Sequence, residues 1–434
     1  MGKMFPTFVF LLLLAACDSF SKKDPLPGKR EAYLDFSSGD IVTDPALKGQ
    51  KVHVPQARSL EFFPQAFVNF DRQHVPYKVC LSENPVWSTS VGVGSDLGHL
   101  IFGHPVSDGR FIFTSDAHGK VSAIRDVAKE SRAEVVWTFD SILEESRDNA
   151  ACATLAVHEE TLFVATAIGE VIALDSSNGR VKWRTSTGAP IRVMPAVKDG
   201  RVFITGINGM TIALDATKGN LLWTHQGFTE VSSIQGGASP VVIDDLVIAS
   251  YSSGEVFVLK ADSGVPLWSD TITTALRSDS ISSIPHIVGN PIIEANVLYV
   301  ISHGARMAAF DLSTGLIVWQ QDIGSIRSPL LMGQTFYVLD NNNRIICLDK
   351  TTGKVYWVKT LPMSSENKPL LWTAPIAVND QLVVGASNGD VLFFNLADGS
   401  KGKALHLKEG IAAQPIIVRD HLYLFLESGQ LVRH

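Results

Sequence analysis

Short apolar runs of four to seven residues alternate with turns rich in Gly, Asn, Asp and Pro along most of the chain. The runs place Val, Ile, Leu and Phe at consecutive positions, which is typical of strands covered on both faces. Six segments repeat one motif: an apolar run ends at Asp, Asn or Lys, and a Gly follows four residues later. In five of them a Trp comes four residues after the Gly. The six segments are 171–183, 211–223, 256–268, 307–319, 345–357 and 391–403.

The spacing of the motif, 38 to 51 residues, indicates an array of repeated supersecondary units. Each unit contains four apolar runs, which predicts four short strands. The Asp and the Gly form a turn, because Asp bonds its own backbone and Gly accepts a positive φ. The bulky Trp is expected to pack between neighbouring units. The predicted structural tryptophans are Trp87, Trp137, Trp183, Trp223, Trp268, Trp319 and Trp357.

Two partial copies raise the count of units to eight. One runs from His118 to Asp126 and leads to Trp137, and the other begins at Ser428 and stops at His434, one strand short. The apolar strand around Trp87 has no unit of its own, so we expect it to complete the last one and remove two open sheet edges. The sequence therefore predicts an all-β fold, an eight-bladed β-propeller of four-stranded antiparallel blades over residues 81–434, closed by an N-terminal strand.

The first 20 residues have the features of a secretory signal. Lys3 precedes an apolar stretch over 8–14, and small residues precede Cys17. The stretch is too short for a membrane span. Its Leu-Ala-Ala-Cys end resembles a bacterial lipoprotein signal, which implies a signal peptide over 1–16 and lipidation of Cys17. Residues 17–80 then form the lipidated Cys and a polar, proline-containing tether.

Composition and motifs argue against several kinds of function. The net charge is −7 with no block of like charges, which argues against a nucleic-acid partner. The chain contains no Gly-x-Ser-x-Gly element and no phosphate-binding loop motif, and its 12 histidines have no metal-ligand spacing. No catalytic, cofactor-binding or metal-binding residue is therefore predicted. A disulfide between Cys80 and Cys152 is compatible with an oxidising compartment, but nothing in the sequence requires it.

The Ala-x-Asp-x-x-Thr-Gly-x-x-x-Trp motif resembles the repeat of pyrroloquinoline-quinone enzymes, which are eight-bladed propellers. Those enzymes hold the quinone on the central axis, often beside two adjacent disulfide-bonded cysteines, together with a calcium ion. No two cysteines are adjacent in this sequence, and no calcium-ligand segment is recognisable. A periplasmic quinoprotein dehydrogenase is therefore the alternative interpretation.

Nearly the whole mature sequence resembles the BamB family, the lipoproteins of the outer-membrane β-barrel assembly machinery. The resemblance is carried by the lipoprotein signal, the tether, the closing strand over 85–92, the eight repeats and the segment 233–242. It implies a non-enzymatic scaffold on the periplasmic face of the outer membrane. That scaffold binds the POTRA domains of BamA and assists the folding and insertion of outer-membrane proteins. Asp18 leaves retention in the inner membrane open.

The resemblance also implies a partner-binding site. In the family a loop of pattern Leu-x-Leu-Arg-Gly-x-x-x-Pro contacts BamA, with an Asp-x-Asp pair one blade later. When the motif positions are counted back from Pro240 and Pro291, this chain has neither the Arg nor the two carboxylates. We therefore expect a more apolar contact, formed by two loops that lie side by side on one rim of the propeller. The alternative is that both are ordinary connections between blades. The predicted partner-binding residues are Ser232, Ile234, Gln235, Gly236, His286, Ile287 and Val288.

Overall fold

The structure, a computed structural model, describes residues 41–63, 74–82, 84–96, 98–127, 131–142, 152–230, 234–272, 284–304, 306–364 and 370–434. The predicted signal peptide, Cys17, Asp18 and Ser232 lie outside these residues. Within the described ranges, no helical segment has the length and hydrophobicity that a membrane crossing requires.

The described residues form eight four-stranded antiparallel sheets, which are the blades of the predicted propeller. Blades 1 and 2 consist of β2 (Val106–Ser107), β3 (Ile112–Ser115), β4 (Lys120–Val127), β5 (Arg132–Asp140), β6 (Ala153–His158), β7 (Thr161–Thr166), β8 (Glu170–Asp175) and β9 (Val181–Ser186). Blades 3 and 4 consist of β10 (Ala196–Lys198), β11 (Arg201–Thr205), β12 (Met210–Asp215), β13 (Leu221–Gln226), β14 (Val241–Ile243), β15 (Leu246–Ser250), β16 (Glu255–Lys260) and β17 (Pro266–Thr271). Blades 5 and 6 consist of β18 (Ile292–Glu294), β19 (Val297–Ser302), β20 (Arg306–Asp311), β21 (Ile317–Gln321), β22 (Leu330–Met332), β23 (Thr335–Leu339), β24 (Arg344–Asp349) and β25 (Val355–Thr360). Blades 7 and 8 contain β26 (Ile376–Val378), β27 (Gln381–Gly385), β28 (Asp390–Asn395), β29 (Lys401–His406), β30 (Ile416–Val418), β31 (His421–Phe425) and β32 (Gln430–Arg433).

Blade 8 is completed by the N-terminal strand β1 (Trp87–Ser90). This strand pairs antiparallel with β32, and the register runs from Trp87 opposite Arg433 to Ser90 opposite Gln430. The prediction of an eight-bladed propeller closed by an N-terminal strand is confirmed. Closure gives the last three strands of the chain a hydrogen-bonded neighbour on what would otherwise be an open edge.

The strand order within the blades defines two faces of the propeller. In blades 1–7 the chain runs from the innermost to the outermost strand through three hairpins, and the connection to the next blade lies at the same end as the middle hairpin. We call that end the upper face, and the end with the Asp-Gly turns the lower face. The middle strands are almost fully buried, whereas the outermost strands are largely exposed. Burial on both sides explains why the middle strands read as continuous apolar runs.

The repeated Trp and Gly form one contact between successive blades. The Trp223 ring in blade 3 lies against Gly264 in blade 4, where an added Cβ would come within 2.5 Å of the ring. The Trp223 Nε1 donates to the carbonyl oxygen of Ala261 in that same turn, at 3.0 Å. Equivalent Nε1 bonds to the next blade are made by Trp137, Trp183, Trp268 and Trp319. Each of the five motifs with a Trp therefore contributes to two interfaces, since its Gly receives the preceding Trp and its own Trp contacts the following Gly.

The Trp357 contact with blade 7 differs in its hydrogen bonding. Its ring lies against Gly399, as in the other blades. The equivalent carbonyl oxygen, that of Leu396, instead accepts a 2.8 Å bond from the Tyr337 hydroxyl. The Trp357 Nε1 is buried without a hydrogen-bond partner in the described structure. The interface between blades 6 and 7 thus keeps the packing of the Trp357 ring, but its carbonyl oxygen accepts a hydrogen bond from the Tyr337 hydroxyl instead of from the indole.

Substitution of Gly264 by Ala should destabilise the propeller through the Trp223 contact. The new methyl group must displace the indole, and overpacking of this kind typically costs about 1–3 kcal/mol. Gly200→Ala is the matched control, because Gly200 has nearly the same positive φ (71° against 69°) but no atom within 4 Å of the added Cβ. Chemical denaturation should show a larger loss of unfolding free energy for Gly264→Ala than for Gly200→Ala. Equal losses would mean that backbone strain alone limits this position.

At the joint between blades 8 and 1, a side-chain carboxylate replaces the backbone carbonyl oxygen that accepts the Trp Nε1 bond elsewhere. Asp126 on β4 accepts bonds from Trp87 Nε1 at 3.1 Å and from the Tyr423 hydroxyl at 2.6 Å. Arg433 Nη1 lies 2.8 and 2.9 Å from its two oxygens. The Arg433 and Asp126 side chains are only 8% and 16% exposed. The pKa of Tyr423 is raised well above its usual value, mainly by burial and secondly by the bond to Asp126, so the hydroxyl remains a donor. One acidic residue therefore connects three strands of blade 8 to blade 1.

Residues 41–63 and 74–80 run across the lower face. Backbone amides of Asp44 and Val52 bond carbonyl oxygens of blades 6 and 7, and the His74 carbonyl oxygen accepts from Gly333 in the β22–β23 turn. Tyr77 bridges to Val378 on β26. This part of the chain therefore adds to the lower side of the propeller and leaves the upper face uncovered.

The three described cysteines are free thiols. Cys80 is exposed, whereas Cys152 and Cys347 are buried. Burial raises the pKa of Cys152 to about 11 and that of Cys347 well above its usual value. Both buried thiols are therefore protonated near neutral pH and behave as small apolar core residues.

Candidate functional site

The two segments singled out by the sequence lie side by side on the upper face. Residues 234–237 belong to the connection between β13 and β14, and residues 284–288 to the connection between β17 and β18. The Ile234 amide donates to His286 Nδ1 at 3.1 Å, and the Ala238 amide donates to the Ile287 carbonyl oxygen at 3.2 Å. The predicted adjacency of the two loops is therefore present in the structure, and it is fixed by hydrogen bonds between them.

Exposure separates the candidate partner-binding residues into two groups. Gln235 is exposed, and Ile234, Gly236 and Val288 are half-buried. Ile287 is fully buried and His286 is 5% exposed. The expectation that Ile287 is an exposed apolar anchor is therefore wrong.

The burial of Ile287 has a local cause. Its amide and carbonyl bond Tyr251 and Ala238 of blade 4, which turns the side chain inward. The side chain then packs in the cluster that contains Ile248 and Val256. Ile287 thus belongs to the core between blades 4 and 5, and only its neighbours can meet a partner.

His286 holds the two segments together as a neutral imidazole. Burial, and next the nearby His303, lower its pKa to about 4. At neutral pH its Nδ1 therefore carries a lone pair and accepts the Ile234 amide proton. By the resemblance, this position carries a carboxylate in the family. Here a buried neutral acceptor replaces that charge and orders the loop on which Ile234 lies.

A cavity of about 400 Å³ opens beside this pair of loops. Its lining includes Arg192, Ile207, Ile234, Tyr251 and His286. Ile207 is 50% exposed at the tip of the β11–β12 hairpin. The sequence analysis missed it, although an Ile between two glycines in a turn was a visible signal. The cavity walls are formed by blades 3 and 4 and by the connections before and after them.

A second cavity, of about 380 Å³, is a funnel at the upper end of the central axis. Gln235, Gly236 and Val288 contribute to its lining, together with Leu100 and Leu371, which are 46% and 65% exposed. These exposed apolar side chains come from connections in different parts of the ring. We define the upper apolar patch as Leu100, Ile207, Ile234, Val288 and Leu371. Its chemistry favours the binding of apolar surface.

The funnel wall also contains polar groups. Arg192, Arg327 and His104 contribute to it. His104 Nδ1 accepts from the Gln414 amide at 3.0 Å, a bond from the connection before blade 8 to the connection before blade 1. Burial, and next the charge of Arg327, lower the pKa of His104 to about 4. His104 and His286 therefore play the same part at two places on the upper face, each accepting an amide from a different connection.

The fold of this chain is similar to that of several proteins of known structure. A solved structure of BamB from Moraxella catarrhalis superposes with a TM-score of 0.66 at 17% identity, covering 81% of this chain and 98% of that one. A europium-containing methanol dehydrogenase superposes with a TM-score of 0.64 at 16% identity, covering 79% and 84%. At these identities the superpositions show the shared propeller fold alone.

Sequence relatives are more specific. The outer membrane protein assembly factor BamB of Yersinia pestis is 28% identical over 367 residues, which cover 80% of this chain and 88% of the relative. The protein of that name from Escherichia coli strain K12 is 27% identical over 320 residues, covering 72% and 78%. The family profile described as outer membrane protein assembly factor BamB matches residues 124–359 and 314–433, which together span most of the propeller. The chain belongs to the BamB family of outer membrane protein assembly factors.

Proposed function

We propose that this protein is a non-enzymatic scaffold of the outer-membrane β-barrel assembly machinery, anchored by lipid at Cys17 on the periplasmic face of the outer membrane. The protein binds the POTRA region of BamA and thereby assists the folding and insertion of outer-membrane proteins. Family membership supports the assembly role. The signal sequence supports the anchor and the compartment.

The observation that carries the partner contact is the upper apolar patch. Rigid scaffolds commonly place binding residues on loops, and exposed apolar groups on such loops mark protein contacts. The Ile234 segment is held by His286 in the unbound chain, so binding need not order it. We therefore assign the contact to Ile234, Gln235, Gly236 and Val288, with Ile207 beside them. Ser232 remains part of the proposal from the sequence alone.

A quinoprotein dehydrogenase has less support. The methanol dehydrogenase superposition shows a fold that both kinds of protein share. No two cysteines are adjacent in the sequence, and the buried thiols are protonated at neutral pH. The relatives that align over most of this chain carry the assembly-factor name.

The double variant Ile207→Asp with Ile234→Asp should lose co-purification with BamA. Two carboxylates in an apolar contact must be desolvated on binding, and blocking a central anchor typically costs about 2 kcal/mol or more. The measurement is the amount of BamA that accompanies the protein from detergent-solubilised membranes. Both substituted side chains have access to solvent in the free protein, so we expect the melting temperature to stay close to that of the parent.

The matched control is Leu221→Asp with Leu316→Asp. These side chains are 59% and 70% exposed on the outer rim of blades 3 and 5, away from the upper face. The control should retain BamA at the parent level. Normal BamA recovery with the first double variant would exclude the upper apolar patch as the contact. Loss with both would show a general effect of added charge.

A further inference from the structure

Three side chains with metal-binding atoms meet on the upper face, at the joint where the ring closes. Asp96 and His99 lie on the connection between β1 and β2, and His118 lies in the β3–β4 hairpin. One ligand atom from each of the three lies within 4.8 Å of the other two. The two imidazole rings are in edge contact, with centroids 5.1 Å apart. Asp96, His99 and His118 have no recognised metal-ligand spacing in the sequence, and the fold brings them together by placing the β1–β2 connection against the β3–β4 hairpin.

We propose that Asp96, His99 and His118 bind a zinc ion. Two imidazoles and one carboxylate are a ligand set that Zn²⁺ accepts, whereas Ca²⁺ and Mg²⁺ prefer sites made of oxygen atoms. The His99 Nδ1 lies 3.1 and 3.3 Å from the two Asp96 oxygens. Ligands at about 2.0 Å from a tetrahedral ion are separated by about 3.3 Å. The spacing of this first pair therefore already fits the ion, and the His118 ring nitrogen lies within 4.8 Å of both.

The surrounding backbone holds the ligands in place. The Gly98 and His99 amides donate to Asp96 Oδ1 at 2.7 and 2.8 Å, which fixes the carboxylate and leaves Oδ2 for a metal. Ligands held in this way have less conformational freedom to lose when an ion binds.

Asp116 supports the third ligand without being one itself. This residue is 2% exposed, and its carboxylate accepts the His118 amide at 2.9 Å and the Val93 amide at 2.8 Å. It thereby joins the His118 hairpin to the same connection that carries Asp96 and His99. The bound ion would add a second link between these two elements beside the closing strand. The Asp96 and His99 side chains are 57% and 25% exposed, which leaves room for a water as fourth ligand.

The test is zinc titration of the mature chain, freed of metal by a chelator and without a histidine tag. All variants carry Cys80→Ser, because Cys80 is an exposed thiol that could compete for the ion. Calorimetry should show one zinc per chain. Saturating zinc should raise the melting temperature by about 2 °C or more, as binding to the folded state alone requires. Magnesium and calcium should give no shift.

His118→Ala should weaken zinc binding by at least about tenfold, and His99→Gln provides an independent second variant. The matched control is His406→Ala, which removes an exposed histidine that lies 2.7 Å from Asp390 and belongs to no described three-ligand cluster. The control should bind zinc like the parent. No saturable binding, or equal affinity in the parent and in both ligand variants, would overturn the site. Loss of binding in the control would place the zinc elsewhere.

Discussion

Asp126→Ala is expected to lower the unfolding free energy by about 3–5 kcal/mol. The substitution leaves the Arg433 guanidinium buried without its counter-charge, and removal of one partner of a buried ion pair typically costs this much. It also removes the acceptor of Trp87 Nε1 and of the Tyr423 hydroxyl. The loss falls on the joint that closes the ring, so the closing strand β1 should be the first element to open. Urea denaturation followed by tryptophan fluorescence measures the effect.

A neighbouring ion pair in the same blade supplies the control. Arg125 and Glu134 lie 3.6 Å apart on β4 and β5, and both side chains are 48% exposed. Because exposed pairs contribute little, Glu134→Ala should change the unfolding free energy by about 1 kcal/mol or less. A cost for Asp126→Ala no larger than that of Glu134→Ala would show that the cluster around Asp126 does not hold the ring. If Asp126→Ala fails to fold, Asp126→Asn keeps the acceptor oxygen and allows the measurement.

The fold could be predicted from the sequence because one motif encodes the contact between blades. A Gly receives the indole of the preceding blade and a Trp packs on the following one, so six of the eight interfaces, from blades 1 and 2 to blades 6 and 7, repeat the same residues at the same spacing. The pairing of Trp87 with the last strand followed from counting strands and from the cost of an open edge. The role of Asp126 did not follow, because the first blade replaces the Gly with a longer insertion, and the partner of that Asp lies 307 residues away.

The two loops of the candidate site could be located from the sequence, but which of their side chains face solvent could not be predicted. Counting back from Pro240 and Pro291, which precede equivalent strands of successive blades, placed Ile234 and Val288 on neighbouring loops. Whether Ile287 faces solvent depends on the backbone bonds with Tyr251 and Ala238, which link segments far apart in the chain. The approach of His99 to His118 likewise depends on how the β1–β2 connection lies against the β3–β4 hairpin. Loop residues carry no periodicity from which a buried side can be read, whereas strands do.

Acidification from pH 7.5 to pH 5 is expected to lower the unfolding free energy through histidines that are buried as neutral groups. His104 and His286 have folded-state pKa values of about 4, while the unfolded chain binds protons below the ordinary histidine value of 6.5. A neutral histidine whose pKa is lower in the folded state than in the unfolded state stabilises the protein at pH values above the unfolded-state pKa. This stabilisation is lost as the pH falls from 6.5 towards 4. At pH 5 the loss is about 2 kcal/mol for His286. It is smaller for His104, which has part of its surface open to the funnel.

Two pairs of variants separate this titration from the hydrogen bonds. His104→Asn with His286→Asn keeps an oxygen that can accept the Gln414 and Ile234 amides but removes both protonation sites. This double variant should match the parent at pH 7.5 and lose less stability at pH 5. The corresponding double Ala variant lacks the acceptors and should be less stable than the parent at both pH values, because a part-buried amide left without a partner costs up to about 1–3 kcal/mol. Urea denaturation of the parent and of both double variants at each pH gives the unfolding free energies to compare. An Asn variant that loses as much stability as the parent would assign the acid sensitivity to the other histidines whose pKa is lowered by burial, which are His74, His225, His303, His421 and His434.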